Sequence, residues 1–198
     1  MGHIFLGFDP GGIDAFGWCV LYANECKEVE YVAGGICSNA REAINMAEKN
    51  TDRPPAGIGI DSPMYWSPAG DRAADRLVRK QVIAADGSSG TVGHVNSLRG
   101  ACLAQGVMVG CLARQIWDGV PITESHPKAL LRVWPDVSSF TSGFALQNDH
   151  ERDAAIGAYS ALAWFSQTHG WRDLRQFEED PFDLIDAPPP VYWFPVTN

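Results

Sequence analysis

Three acidic stretches hold the residues whose types and spacing could do chemistry: Gly7-Phe8-Asp9-Pro10-Gly11-Gly12, Gly59-Ile60-Asp61-Ser62-Pro63, and Asp149-His150-Glu151-Arg152-Asp153-Ala154-Ala155. In the first two, an aspartate stands where an apolar run ends. In the third, acids open an apolar segment of helical character. Carboxylates brought together from such places make an all-oxygen donor set, which suits Mg2+ or Mn2+. Ions held in that way bind a phosphate oxygen, lower the pKa of an attacking water and stabilise a departing oxygen. Nothing in the chain has the HExxH or Cys/His spacing of a zinc site. Walker A, GxGxxG and Gly-x-Ser-x-Gly motifs are also missing.

Each candidate has a plainer reading beside the chemical one. Asp9 in Asp-Pro-Gly-Gly is equally a turn former, although the glycines leave backbone amides open to a phosphate or a metal-bound water. Asp61 could serve as a turn or cap residue. Two aspartates ending two strands in the same way say more than either alone, because ligands of open sheets collect beyond the carboxyl ends of strands. Asp149 and Glu151 complement the dipole of a first helical turn. Asp153 lies one turn further in, against Ala154-Ala155-Ile156, and is the stronger ligand candidate. His150 and Asp153 share a helix face, as do Asp149 and Asp153. Glu124, in Thr123-Glu124-Ser125-His126-Pro127, is either a further ligand or a cap, and His126 is either a substrate contact or structural. Arg72 and Arg76 could meet phosphates, but with Arg79 and Lys80 they also read as a solvated basic stripe.

The elements that must position these residues follow from patterning. Residues 3–8, 16–22 and 29–36 read as a three-strand meander and 56–60 as a fourth strand, with a helix between them capped by Ser38 or Asn39. Residues 71–85 and 98–117 read as helices, 120–124 as a fifth strand, 127–133 as a helix with Pro127 in its first turn, and 149–165 as the last helix. Residues 86–93 are the most loop-like segment, a candidate lid or interface arm, so oligomerisation stays open. We expect an α/β domain over residues 1–170, followed by an acidic, proline-rich tail over 171–198 packed on it through Trp193 and Phe194.

Composition narrows the classes. The 198 residues are 45% hydrophobic, enough for one well-buried domain, and the net charge of -9 argues against a broad basic face for duplex nucleic acid. The five cysteines form no C-x-x-C pair and read as reduced, buried thiols of a cytoplasmic protein. No apolar stretch reaches the ~18 residues of a membrane span, so no membrane partner is expected.

Gly7-Phe8-Asp9-Pro10-Gly11 with Gly17-Trp18 resembles the opening of ribonuclease H-like nucleases of the RuvC type, and His150-x-x-Asp153-Ala154 resembles the helix that closes their sites. The Asp61 segment, the Arg72-x-x-Asp75-Arg76 helix, Glu124-Ser125-His126-Pro127 and residues 149–155 are similar to the predicted nucleases grouped as domain of unknown function 429. The resemblance spans residues 3–166. It implies a mixed five-stranded sheet, an antiparallel three-strand meander plus two parallel strands, with helices on both faces and strand four beside a central strand one. It further implies a nuclease binding DNA or RNA, with Mg2+ or Mn2+ on Asp9, Asp61 and Asp153, Glu124 or Asp149 as an additional ligand, and His150 in proton transfer or positioning. RuvC-type resolvases usually have glutamate where this chain has Asp61. Two other readings remain: a non-catalytic binding protein on the same fold, and an actin-like phosphotransferase, which normally needs a second domain.

Overall fold

The computed structural model describes residues 2–67, 71–93, 100–179, 181–185 and 188–196. The expected helix start at Leu98, and Asp180 and Ala187 of the tail, lie outside them. Strands β1 (His3–Asp9), β2 (Phe16–Ala23) and β3 (Val29–Cys37) form the antiparallel meander. Helix α1 (Ala40–Lys49) follows, its first turn capped by the Asn39 side chain, which accepts from the Glu42 amide. Then come β4 (Gly57–Ile60), β5 (Tyr65–Trp66), α2 (Ala73–Ala84), α3 (Gly100–Ile116), β6 (Ile122–Glu124), α4 (Pro127–Val133), α5 (Val137–Ser142) and α6 (Asp149–Phe165). The chain closes with β7 (Trp171–Asp173), β8 (Phe182–Asp183) and β9 (Val191–Pro195).

The main sheet has seven strands in the order β3-β2-β1-β4-β6-β9-β7, and β5 pairs with β8 in a separate two-stranded ribbon. β1, β4, β6 and β9 run parallel, and β7 returns antiparallel to β9. β4 lies beside β1, as the resemblance implied. The expected count of five strands is too low, because residues assigned to a tail supply β9 and β7. In β9, Phe194 is fully buried and Trp193 nearly so.

Strand alternation sorts the side chains to two helical layers. Ile4, Leu6 and Phe8 of β1, with Ile58 and Ile60 of β4 and Ile122 of β6, pack against Ala43, Ile44 and Ala47 of α1 and Val109 and Ala113 of α3. Phe5, Cys19 and Leu21 face the other way, onto Ala154, Ala155, Ala158 and Ala161 of α6. A third cluster joins Val78 and Val82 of α2, Leu130 of α4 and Tyr192 and Phe194 of β9. Val92 belongs to this cluster, so the 86–93 segment is anchored in the core.

Two other expectations change. Only Cys19 is buried; Cys26 and Cys111 are exposed, and all five cysteines are free. The basic stripe breaks up, since Arg72 is buried, Arg79 pairs with Asp71 at 2.5 Å, and Arg76 and Lys80 are exposed. No helix among the described residues is long and apolar enough to cross a membrane.

Candidate active site

The close approach of α6 to the sheet begins with missing side chains. A Cβ on Gly7 would strike the backbone of Ala154 and Ala158, one on Gly59 the backbone of Gly157, and one on Gly17 the carbonyl of His150. Gly7 and Gly59 are register partners on adjacent parallel strands. With a side-chain period of two, Asp9 and Asp61 leave the sheet on the same face as those glycines, directly beyond them. The Asp61 amide donates to the Phe8 carbonyl at 2.9 Å, continuing the ladder to the carboxyl ends. The first two turns of α6 then pass over both aspartates. The Asn148 side chain caps this helix, accepting from the Glu151 amide at 3.0 Å.

A cavity of about 800 Å3 opens here. Its walls include Asp9, Asp61, Asp149, His150 and Asp153, together with Glu124, His126, Lys128, Cys102, Gly11 and Gly12. His150 Nδ1 lies 2.6 Å from Asp9 Oδ2, and the ring is 43% exposed. Burial pushes Asp9 above the usual carboxylate range; its contact with His150 opposes that, and Asp153 adds to it. Asp61 keeps part of its surface open to the cavity although protein surrounds it, and no hydrogen bond to its carboxylate occurs among the described residues. Burial raises Asp61 well above its ordinary value, reinforced by the charges of Asp9 and Asp153. Asp153 is buried and also raised by burial, against the pull of Arg152, whose Nη2 and Nε sit 2.7 and 3.0 Å from Oδ1. Lys128, exposed on the first turn of α4, lowers all three aspartates.

Other candidates lie elsewhere or are already engaged. Glu124 is the register partner of Ile60, so it projects to the opposite face from Asp61. There its carboxylate receives Arg72 Nη2 at 2.6 Å, Arg72 Nη1 at 2.8 Å and the Met64 amide at 3.1 Å. Arg72 also donates to both Asp75 oxygens, at 2.8 and 2.9 Å, and lies over the Tyr65 ring at 4.6 Å. Burial alone would lower the Arg72 pKa, but Glu124 and Asp75 outweigh it and hold the guanidinium charged. Glu124, expected as a metal ligand, and Arg72, expected as a phosphate contact, thus line the cavity already paired with each other. Asp149 is 82% exposed and pairs with Arg152 at 2.8 Å, on the rim rather than among the three aspartates. Arg76 is exposed on α2, outside the cavity walls, and donates to the Asp71 carbonyl. His126 lines the cavity; burial holds its pKa down to about 4, and Nδ1 is buried with no partner among the described residues.

The donor chemistry fits a hard divalent cation. Asp153 raises Asp9, and both raise Asp61, whose carboxylate accepts no hydrogen bond among the described residues. Among the described residues, no three His, Cys, Asp or Glu side chains stand in metal-ligating geometry. Asp153 is turned to Arg152 and Asp9 to His150. Sequence reasoning missed Lys128 on the cavity wall and Arg152 on Asp153. Both sit within the motifs that carry the acids, one directly after His126-Pro127 and one directly before Asp153, and that adjacency is the signal that could have found them.

The fold and site thus define a mixed α/β protein with carboxylates at the carboxyl ends of adjacent parallel strands. No protein-family model and no curated protein matches the chain. Among solved structures, T. thermophilus RuvC in complex with a Holliday junction substrate is similar, with a TM-score of 0.43 and 17% identity over 84% of this chain and 96% of that one.

Proposed function

We propose that this chain is a ribonuclease H-like nuclease, akin to the predicted nucleases of domain of unknown function 429, that hydrolyses phosphodiester bonds with Mg2+ or Mn2+. The observation that carries the reading is the placement of Asp9 and Asp61 on one face of adjacent parallel strands, with Asp153 brought over them by α6. Those three carboxylates would hold the cation. When bound, it supplies Lewis-acid polarisation of a phosphate oxygen and a more acidic water.

The remaining chemistry belongs to the chain itself. His150 Nδ1 pairs with Asp9 Oδ2, and with that nitrogen as the donor Nε2 would be left to accept a proton from an attacking water. Lys128 puts a positive charge on the cavity wall, where a phosphate approaches. Backbone amides of the Gly11-Gly12 turn stand beside Asp9 on the same wall and can receive phosphate oxygens. His126, held neutral, contacts substrate by hydrogen bonding rather than by charge.

The ion pairs on Asp9 and Asp153 are the observation favouring a second reading, a non-catalytic nucleic-acid- or protein-binding member of the fold. Cleavage of a panel of single-stranded, duplex and branched DNA and RNA in Mg2+ and Mn2+ separates the two. Metal-dependent cleavage that falls at least about 100-fold in Asp9→Asn, Asp61→Asn and Asp153→Asn is expected. Identical behaviour of the native chain and Asp9→Asn across the panel would sink the nuclease reading.

A further inference from the structure

We propose that Arg152 is a built-in competitor of the cation: its guanidinium occupies Asp153 and must leave that carboxylate before a divalent ion is held there. This rests on the metal-site reading above and adds the residue that sets how readily the site loads. Adjacent residues of a helix point about 100° apart and do not ordinarily pair. Here the Arg152 side chain nevertheless folds across to its neighbour, with Nε and Nη2 on the same Asp153 oxygen at 3.0 and 2.7 Å. Nη1 reaches back one turn to Asp149 at 2.8 Å, so one guanidinium spans the rim carboxylate and the interior one.

A divalent ion on Asp153 would meet a full positive charge within a few ångströms, in surroundings too enclosed for water to screen it well. The Asp153 side chain is only 3% exposed, whereas that of Arg152 is 27% exposed and can move. The structure also provides the alternative place. A second cavity of about 380 Å3 between α5 and α6 is lined by Ser138, Thr141, Gln147, Asn148, Asp149 and Arg152 itself. Arg152 lines this cavity even while it holds Asp153, and its pair with Asp149 through Nη1 offers an anchor that keeps the guanidinium there once Nε and Nη2 leave Asp153.

The test is isothermal titration of Mn2+ into the full chain, without substrate. The set comprises the native protein, Arg152→Ala, Arg152→Lys, and the double variant Arg152→Ala with Asp153→Asn. Arg152→Ala is expected to bind Mn2+ about 10-fold or more tightly than the native chain, with that gain lost in the double variant. Arg152→Lys keeps the charge and should stay near the native affinity. Equal or weaker binding by Arg152→Ala, with native binding intact, would overturn the competition while leaving the metal site standing. Failure of the native chain and Arg152→Ala alike to bind Mn2+ would remove the metal site itself.

Discussion

Asp61 concentrates the conflict between folding and chemistry. Its carboxyl is raised in the folded protein by burial and by Asp9 and Asp153, whereas the unfolded chain titrates near the ordinary value of 3.8. A raised folded pKa gives stability that is complete below the unfolded value and is lost as pH climbs through the folded one. Asp61→Asn has no such loss. The variant should therefore match the native chain below about pH 3.8 and exceed it increasingly as pH rises. At pH 7.5, without divalent ions, the variant should unfold at a higher urea concentration than the native chain. Adding Mg2+ should narrow the gap by stabilising the native chain alone. Urea melts at several pH values, with and without Mg2+, read this directly; a variant less stable than the native chain at pH 7.5 would refute it. Among individual residues, Asp9 and Asp61 stood out as candidates because an acid closing an apolar run has few apolar reasons to be there, and Asp153 because it abuts Ala154-Ala155-Ile156 one turn into its helix. The roles of Glu124 and Arg72 were not legible, since the face on which Glu124 emerges depends on its register with β4, a non-local quantity.

At the scale of elements, the site exists because α6 lies almost on the backbone of β1 and β4. Gly-x-Asp occurs at the end of both strands: the glycine admits the helix and the aspartate two residues on meets it. Alanines at 154, 155, 158 and 161, with Gly157, complete the seam. Ile156 of the same helix packs instead in the cluster with Tyr192 and Phe194, and Phe165 is half exposed. A methyl group on Gly59 meets backbone, which cannot move aside as a flexible side chain would. Gly59→Ala should thus cost at least about 2 kcal/mol in urea denaturation. Gly12→Ala, where the added methyl meets nothing within 4 Å, should be close to neutral. Equal stability of the two variants would show that the seam is not what holds α6 over the strands. The bounds of α4 and α6 were readable from Pro127 and from the polar opening of the last helix.

For the whole molecule, the tail was the least legible part. β9 takes its place beside β6, about 70 residues earlier, and β7 joins β9 across a long connection with no tight-turn signature. Proline-rich, acidic composition hid strands whose pairing is entirely long-range. With a net charge of -9, the molecule offers little general attraction for a polyanion, so under the proposed function nucleic acid would be drawn by local cations. At the candidate site these include Lys128 on the cavity wall, Arg152 on Asp153 and any ion that the three aspartates would hold. The most direct measurement is anomalous diffraction at the manganese edge from crystals soaked in Mn2+. An anomalous peak within roughly 2.0–2.6 Å of carboxylate oxygens of Asp61 and of Asp9 or Asp153 is expected, with Arg152 drawn off Asp153 if that residue ligates. Ordered Mn2+ elsewhere on the molecule, with no peak at Asp61, would contradict the metal-dependent reading of this site.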